Sequence, residues 1–86
     1  MDFIPLEIFE KYEIRKKLSA DRLGRTYEAF HKHMRVKRKI TILHFHHVKN
    51  ENAKNLFITE ARAKKDLVDI FRCNNGVLLS VMKLVA

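Results

Sequence analysis

Apolar and polar letters alternate along three stretches of the chain. From Tyr12 to Leu18, Tyr12, Ile14, Lys16 and Leu18 fall on one side and Glu13, Arg15 and Lys17 on the other. A period of two predicts a half-buried strand. Arg25 to His33 reads as the return strand and Met34 to Lys37 as a turn. Arg38 to Phe45 reads as a third strand, with Ile40 and Ile42 directed one way and Thr41 and Leu43 the other. The period then changes. Between Asn50 and Leu67, the residues Ala53, Leu56, Phe57, Glu60, Lys64 and Leu67 recur at helical spacing, and Asn50 or Asn52 can cap the first turn. Two more strands follow, Val68 to Cys73 and Val77 to Met82, joined by Asn74-Asn75-Gly76, where Asn-Gly is a strong hairpin signal. Ahead of them, Met1 to Lys11 carries Pro5, Leu6 and Phe9 and predicts a short helix or turn docked on the sheet. The expected fold is α+β, a five-stranded antiparallel sheet with one packed helix. It forms a single unit over residues 1–86, which could also stand first in a longer polypeptide.

Composition narrows the class. The chain has 86 residues, 47% hydrophobic and 33% charged, with a formal net charge of +8. That suffices for one small core and a strongly basic surface, which either keeps the domain solvated or serves an acidic partner. Cys73 is the only cysteine, so no disulfide framework is expected and a reducing compartment, the cytoplasm, fits. No run approaches the roughly 18 apolar residues of a membrane helix, and the N-terminus does not read as a secretory signal.

The region from Leu18 to Leu43 carries a resemblance. Ser19, Asp21 and Gly24 stand at the spacing of Gly-x-Gly-x-x-Gly; Thr26-Tyr27-Glu28-Ala29 is similar to Val-Tyr-x-Ala; Ile40-Thr41-Ile42-Leu43 is similar to Val-Ala-Ile-Lys. In that order, with Glu60-Ala61 and Val81-Met82 later, they resemble the N-terminal small lobe of the eukaryotic-type Ser/Thr protein kinase family in a degenerate, pseudokinase-like form. The resemblance runs from Tyr12 onward and covers only the smaller lobe. It implies that Leu18, Thr26 and Thr41 roof an adenine site, that Leu43 replaces the phosphate-anchoring lysine, and that Glu60 is the helix glutamate that would pair with it. It also implies that Met82 is the gatekeeper and that Lys83-Leu84-Val85 begins the hinge.

The chemistry that this family needs is missing from those positions. Glycine lets bare backbone N–H groups approach an anion, and of the three only Gly24 is present. Asp21 puts a negative charge in the phosphate turn, where a second unit charge about 4 Å away is repelled by roughly 1 to 4 kcal/mol, an effect Arg22 and Arg25 could partly offset. Leucine at position 43 neither donates nor carries charge. No catalytic residue, cofactor or enzymatic activity is therefore expected, and Glu60, without a strand lysine, turns to solvent or to Lys64.

His31 and His33, and later His44, His46 and His47, invite a metal hypothesis. On extended strands the two groups lie roughly 20 Å apart, and no second cysteine completes a ligand set, so no metal site is expected.

Two functional classes remain. One is a non-catalytic protein-interaction or assembly module. Apolar residues concentrate at the chain end, and alternation can hide only about half of them, so Leu78, Val81, Met82 and Leu84, with Leu18 and Leu43, are expected to form an exposed patch covered by a homodimer or another protein. The other is a module for nucleic acid or another polyanion, resting on Arg15, Lys16, Lys17, Arg35, Lys37, Arg38 and Lys39, with Arg62, Lys64 and Lys65 as a third basic group. No aromatic ladder interleaves those charges, and Phe30 and Phe45 read as core.

Overall fold

The computed structural model describes residue 4, residues 6–73 and residues 75–84. Its elements are a short helix α1 (Leu6–Lys11), strands β1 (Tyr12–Ala20), β2 (Gly24–His31) and β3 (Val36–Leu43), a 3-10 turn (Phe45–His47), helix α2 (Glu51–Arg62) and strands β4 (Leu67–Arg72) and β5 (Leu78–Lys83). The strands form one antiparallel five-stranded sheet in the order β1-β2-β3-β5-β4, which makes the fold α+β as expected.

The two sides of the sheet bury different sets of residues. One side gathers Tyr27, Ala29, Ile40, Ile42, Leu79 and Val81 under Ile8 of α1, with Ile14 and Val48 packed against them. The other joins Leu43 and Leu78 to Phe57 of α2, with Ile58 alongside. Helix α2 begins where Asn50 accepts the Ala53 N–H at 3.1 Å, and it buries Ala53, Phe57 and Ala61, a stripe of i, i+4 and i+8. It ends at Arg62, short of the predicted Leu67. Lys64 and Lys65 favour helix, but Leu67 is taken into β4 opposite Met82 and the Lys83 N–H bonds to Asp66 O, so sheet pairing overrides local propensity.

Strand β1 departs from the expected alternation. Only Tyr12 is buried and Ile14 half-buried, because register shifts between Ile14 and Lys16 and between Lys17 and Ser19 rotate the rest outward. Leu18 is consequently 41% exposed. In the last hairpin, the Cys73 N–H bonds to Val77 O, and Gly76 adopts φ +88, which suits a glycine. Of the residues named from sequence, Met1, Pro5, Asn74 and Val85 lie outside the described residues.

The expected apolar patch at the chain end is not formed. Leu78, Val81 and Met82 are 1%, 0% and 3% exposed, and Leu84 is half-buried. Alternation was expected to leave about half of the run uncovered. Instead β5 sits between β3 and β4 with the α1 layer on one face and α2 on the other, so both of its faces are covered.

Candidate functional site

A cleft of about 70 Å³ opens between the sheet and α2. Thr26 of β2, Thr41 of β3, Ser80 and Met82 of β5, Asp21 of the β1–β2 turn, and Phe57 and Glu60 of α2 line it. Five of the eight degenerate positions thus converge: Asp21, Thr26, Thr41, Glu60 and Met82. Ser19, Gly24 and Leu43 do not line it, and neither does Leu18 of the expected roof. Antiparallel register produces the convergence, since Thr26 lies opposite Thr41 and Thr41 opposite Ser80 on one face.

The polar groups of the cleft are largely engaged with one another. Thr26 Oγ1 and Thr41 Oγ1 are 2.9 Å apart and bond to each other. Asp21 Oδ1 accepts the Leu23 N–H at 2.9 Å and the Gly24 N–H at 3.0 Å. The carboxylate therefore occupies the backbone donors of this turn from within the chain. The Gly24 N–H is the first cause holding the Asp21 carboxyl below the usual aspartate value; the Leu23 N–H, His44 and Arg22 add to it against a desolvation penalty. A volume of about 70 Å³ has room for waters but falls well short of the roughly 300–1,000 Å³ typical of ligand pockets.

Leu43, at the expected lysine position, is fully buried between Phe57 and Leu78. It closes the seam between the sheet and α2 and does not join Leu18 in an open, apolar-lined cleft. Gly24 stands opposite it in the register, and a Cβ there would come within 2.4 Å of Ile42 O. Its glycine is accounted for by the close approach of β2 and β3. Glu60 is exposed, and Lys64 lines the same cleft.

Sequence reasoning missed Arg25. Expected to offset Asp21, it instead points inward on the Tyr27–Ala29 face and is 4% exposed. Its Nε donates to Tyr27 Oη at 3.3 Å and its Nη1 reaches His44 Nδ1 at 3.3 Å. His44 Nε2 lies 2.7 Å from Asp21 O. A guanidinium can only donate and a carbonyl only accept, so the neutral form of His44 that fits both contacts accepts through Nδ1 and donates through Nε2. His47 Nε2 likewise donates to Arg22 O at 2.7 Å. The available signal was position: Arg25 shares the inward parity of Tyr27 and Ala29.

The second histidine group differs from expectation because β3 ends at Leu43 and the chain turns at Phe45–His47. His44 and His46 stack at 5.4 Å, and His46 and His47 approach to 4.2 Å. Two of these rings fasten the 21–22 turn, and among the described residues no group of three or more His, Cys, Asp or Glu could hold a metal ion. Burial raises the Cys73 thiol above its ordinary value, with Glu7 adding to the effect.

The basic residues divide between surfaces. Arg15, Lys16 and Lys17 lie exposed on β1, an outer strand of the sheet. Lys37 and Lys39 share a face with Phe30 and Glu28, while Arg38, opposite Ala29, projects to the other side. The guanidinium carbon of Arg15 lies 4.5 Å from the Phe30 ring centroid and that of Arg35 5.9 Å. Phe30 is half-buried beneath them, not in the core as expected, and Phe45 is exposed.

Among the described residues, no helix is long and apolar enough to cross a membrane. No family model matches the chain, and no curated protein matches it.

Proposed function

We propose that the chain is a non-catalytic protein-interaction or assembly module built on a kinase-like small lobe. One observation carries the reading. Five of the eight positions at which that resemblance calls for a nucleotide site line one cleft, and the groups that would bind phosphate there are replaced or engaged: Asp21 takes the turn N–H groups, and Leu43 is buried core. Phosphoryl transfer needs cations to neutralise developing charge and a base to position the nucleophile. The cleft instead presents two carboxylates, Asp21 and Glu60, with Lys64 as its cation. The scaffold is then retained for its surface. The lone, buried Cys73 suits a reducing compartment, and we place the module in the cytoplasm. The test is ATP turnover by the purified chain with magnesium. No phosphate release above a denatured control is expected, and sustained release would overturn the reading.

A second reading, nucleic-acid or polyanion binding, is favoured by the gathering of Arg15 and Arg35 around Phe30, with Lys37 opposite Phe30 in the register. Binding that falls steeply between low and high salt, with a log–log slope set by the number of phosphates contacted, is its signature.

A further inference from the structure

Beside the outer edge of β1 lies an open depression of about 520 Å³. Phe9, Tyr12, Ile14 and Phe30 line it with Lys32 and Arg35 as cations and Glu13 as its one carboxylate, which is paired with Arg15. Arg15 stands over Phe30 from the same strand edge, followed by the exposed Lys16 and Lys17. Its volume falls within the range of ligand sites.

We propose that this depression docks an extended acidic segment of a partner protein, with an aromatic or apolar side chain seated against Phe9 and Ile14 and carboxylates met by Arg15, Lys32 and Arg35. The inference rests on the interaction-module reading and names the surface and the chemistry of the partner. Charge complementarity selects the occupant. A second copy of this chain, pairing edge to edge, would bring two sets of Arg15, Lys16 and Lys17 together, and like charges oppose that. A single-stranded nucleic acid would want an open aromatic face for stacking, yet Arg15 already covers Phe30. A carboxylate suits the site better, because Arg presents a planar fork for it. Lys32 Nζ donates to Phe9 O at 2.6 Å and has further donors to offer. Arg15 is paired with Glu13 at 3.1 Å, an exposed pair of the weak kind that an incoming carboxylate can displace. Strand β1 stands at the end of the strand order, where an extended segment could be added to the sheet.

The test is fluorescence anisotropy of a dye-labelled peptide with phenylalanine at its centre and glutamates on either side, titrated with the intact chain at low and high salt. Labelled oligothymidylate serves as the competing probe. The variant is Arg15→Gln/Arg35→Asn; asparagine suits position 35, where φ is 57. Its urea midpoint is compared with the parent's to confirm folding. Lys49→Gln, on the exposed turn before α2, is the control. Saturable peptide binding that weakens about tenfold in the double variant and is unchanged in the control is expected. Three results would each overturn the proposal: no saturable binding, equal binding by parent and double variant, or oligothymidylate bound about tenfold tighter than the peptide. None of them bears on ATP turnover, so failure of this site and failure of the non-catalytic reading are told apart.

Discussion

Replacing Leu43 by alanine tests whether the position at which the kinase resemblance places a cation is part of the core. Leu43 is fully buried against Phe57 and Leu78, with Ile58 packed beside them. Truncation removes roughly three carbon atoms, worth about 2.4 kcal/mol at about 0.8 kcal/mol per buried CH₂. The cavity left between two elements that relax only partly adds to this, so the expected loss is about 3 kcal/mol within the usual range of about 2–5. That is a large share of the roughly 5–15 kcal/mol that stabilises a small domain. With a urea m-value of about 1 kcal/mol per M, the midpoint falls by about 3 M. The assay is equilibrium urea unfolding followed by far-UV circular dichroism. Leu18→Ala, at a 41% exposed position, is the reference, expected to stay within about 0.5 kcal/mol of the parent. Leu43→Met conserves volume and should cost under about 1.5 kcal/mol. Leu43→Lys loses the same packing and buries an ammonium, so it should be less stable than Leu43→Ala. If Leu43→Ala lost less than about 1 kcal/mol, or no more than Leu18→Ala, the assignment of Leu43 to the sheet–helix seam would be refuted.

The turn and its strand partner give two further expectations. Gly24→Ala would set a Cβ 2.4 Å from Ile42 O, a backbone atom that moves only with β3, so a loss of about 1–3 kcal/mol is expected in the same assay, and an unchanged midpoint would remove the close-approach explanation. The Asp21 carboxyl is lowered in the folded chain, first by the Gly24 N–H. Its charge therefore contributes stability that is present above the unfolded value near 3.9 and is lost as pH falls through the folded value. Asp21→Asn, a stand-in for the protonated acid, should cost at most about 1 kcal/mol at neutral pH, discounted for solvent screening, and its gap to the parent should narrow as pH falls below the unfolded value; a gap that stays constant through the acid range would contradict the charge-based account.

The parts of the fold written in local periodicity were legible in the sequence. Tyr12–Ile14, Ile40–Ile42 and the Asn50 cap each became what alternation or capping predicts. What tertiary pairing decides was not. Nothing local stops a helix at Arg62; the pairing of Leu67 with Met82 does. Nothing local says that both faces of β5 are covered, which is why Leu78, Val81 and Met82 read as a patch and are core. The irregular register of β1 turns Leu18 outward against its alternation. At the site, Asp21, Thr26, Thr41, Glu60 and Met82 line one cleft, whereas Ser19, Gly24 and Leu43 do not. The inward Arg25 and the histidine contacts to the 21–22 turn were hidden, because a charged residue at an inward-facing position looks like an exposed one until its partners are in place.

The proposal that this cleft does not hold a nucleotide is tested most directly by titrating ATP with magnesium into the folded chain, reading heat by calorimetry and methyl shifts of Thr26, Thr41 and Met82 by NMR. The account predicts no saturable heat and no progressive shift of those methyls up to about 1 mM, an affinity worth no more than about 4 kcal/mol. Saturation at micromolar concentration, with the three methyls shifting together, would contradict it.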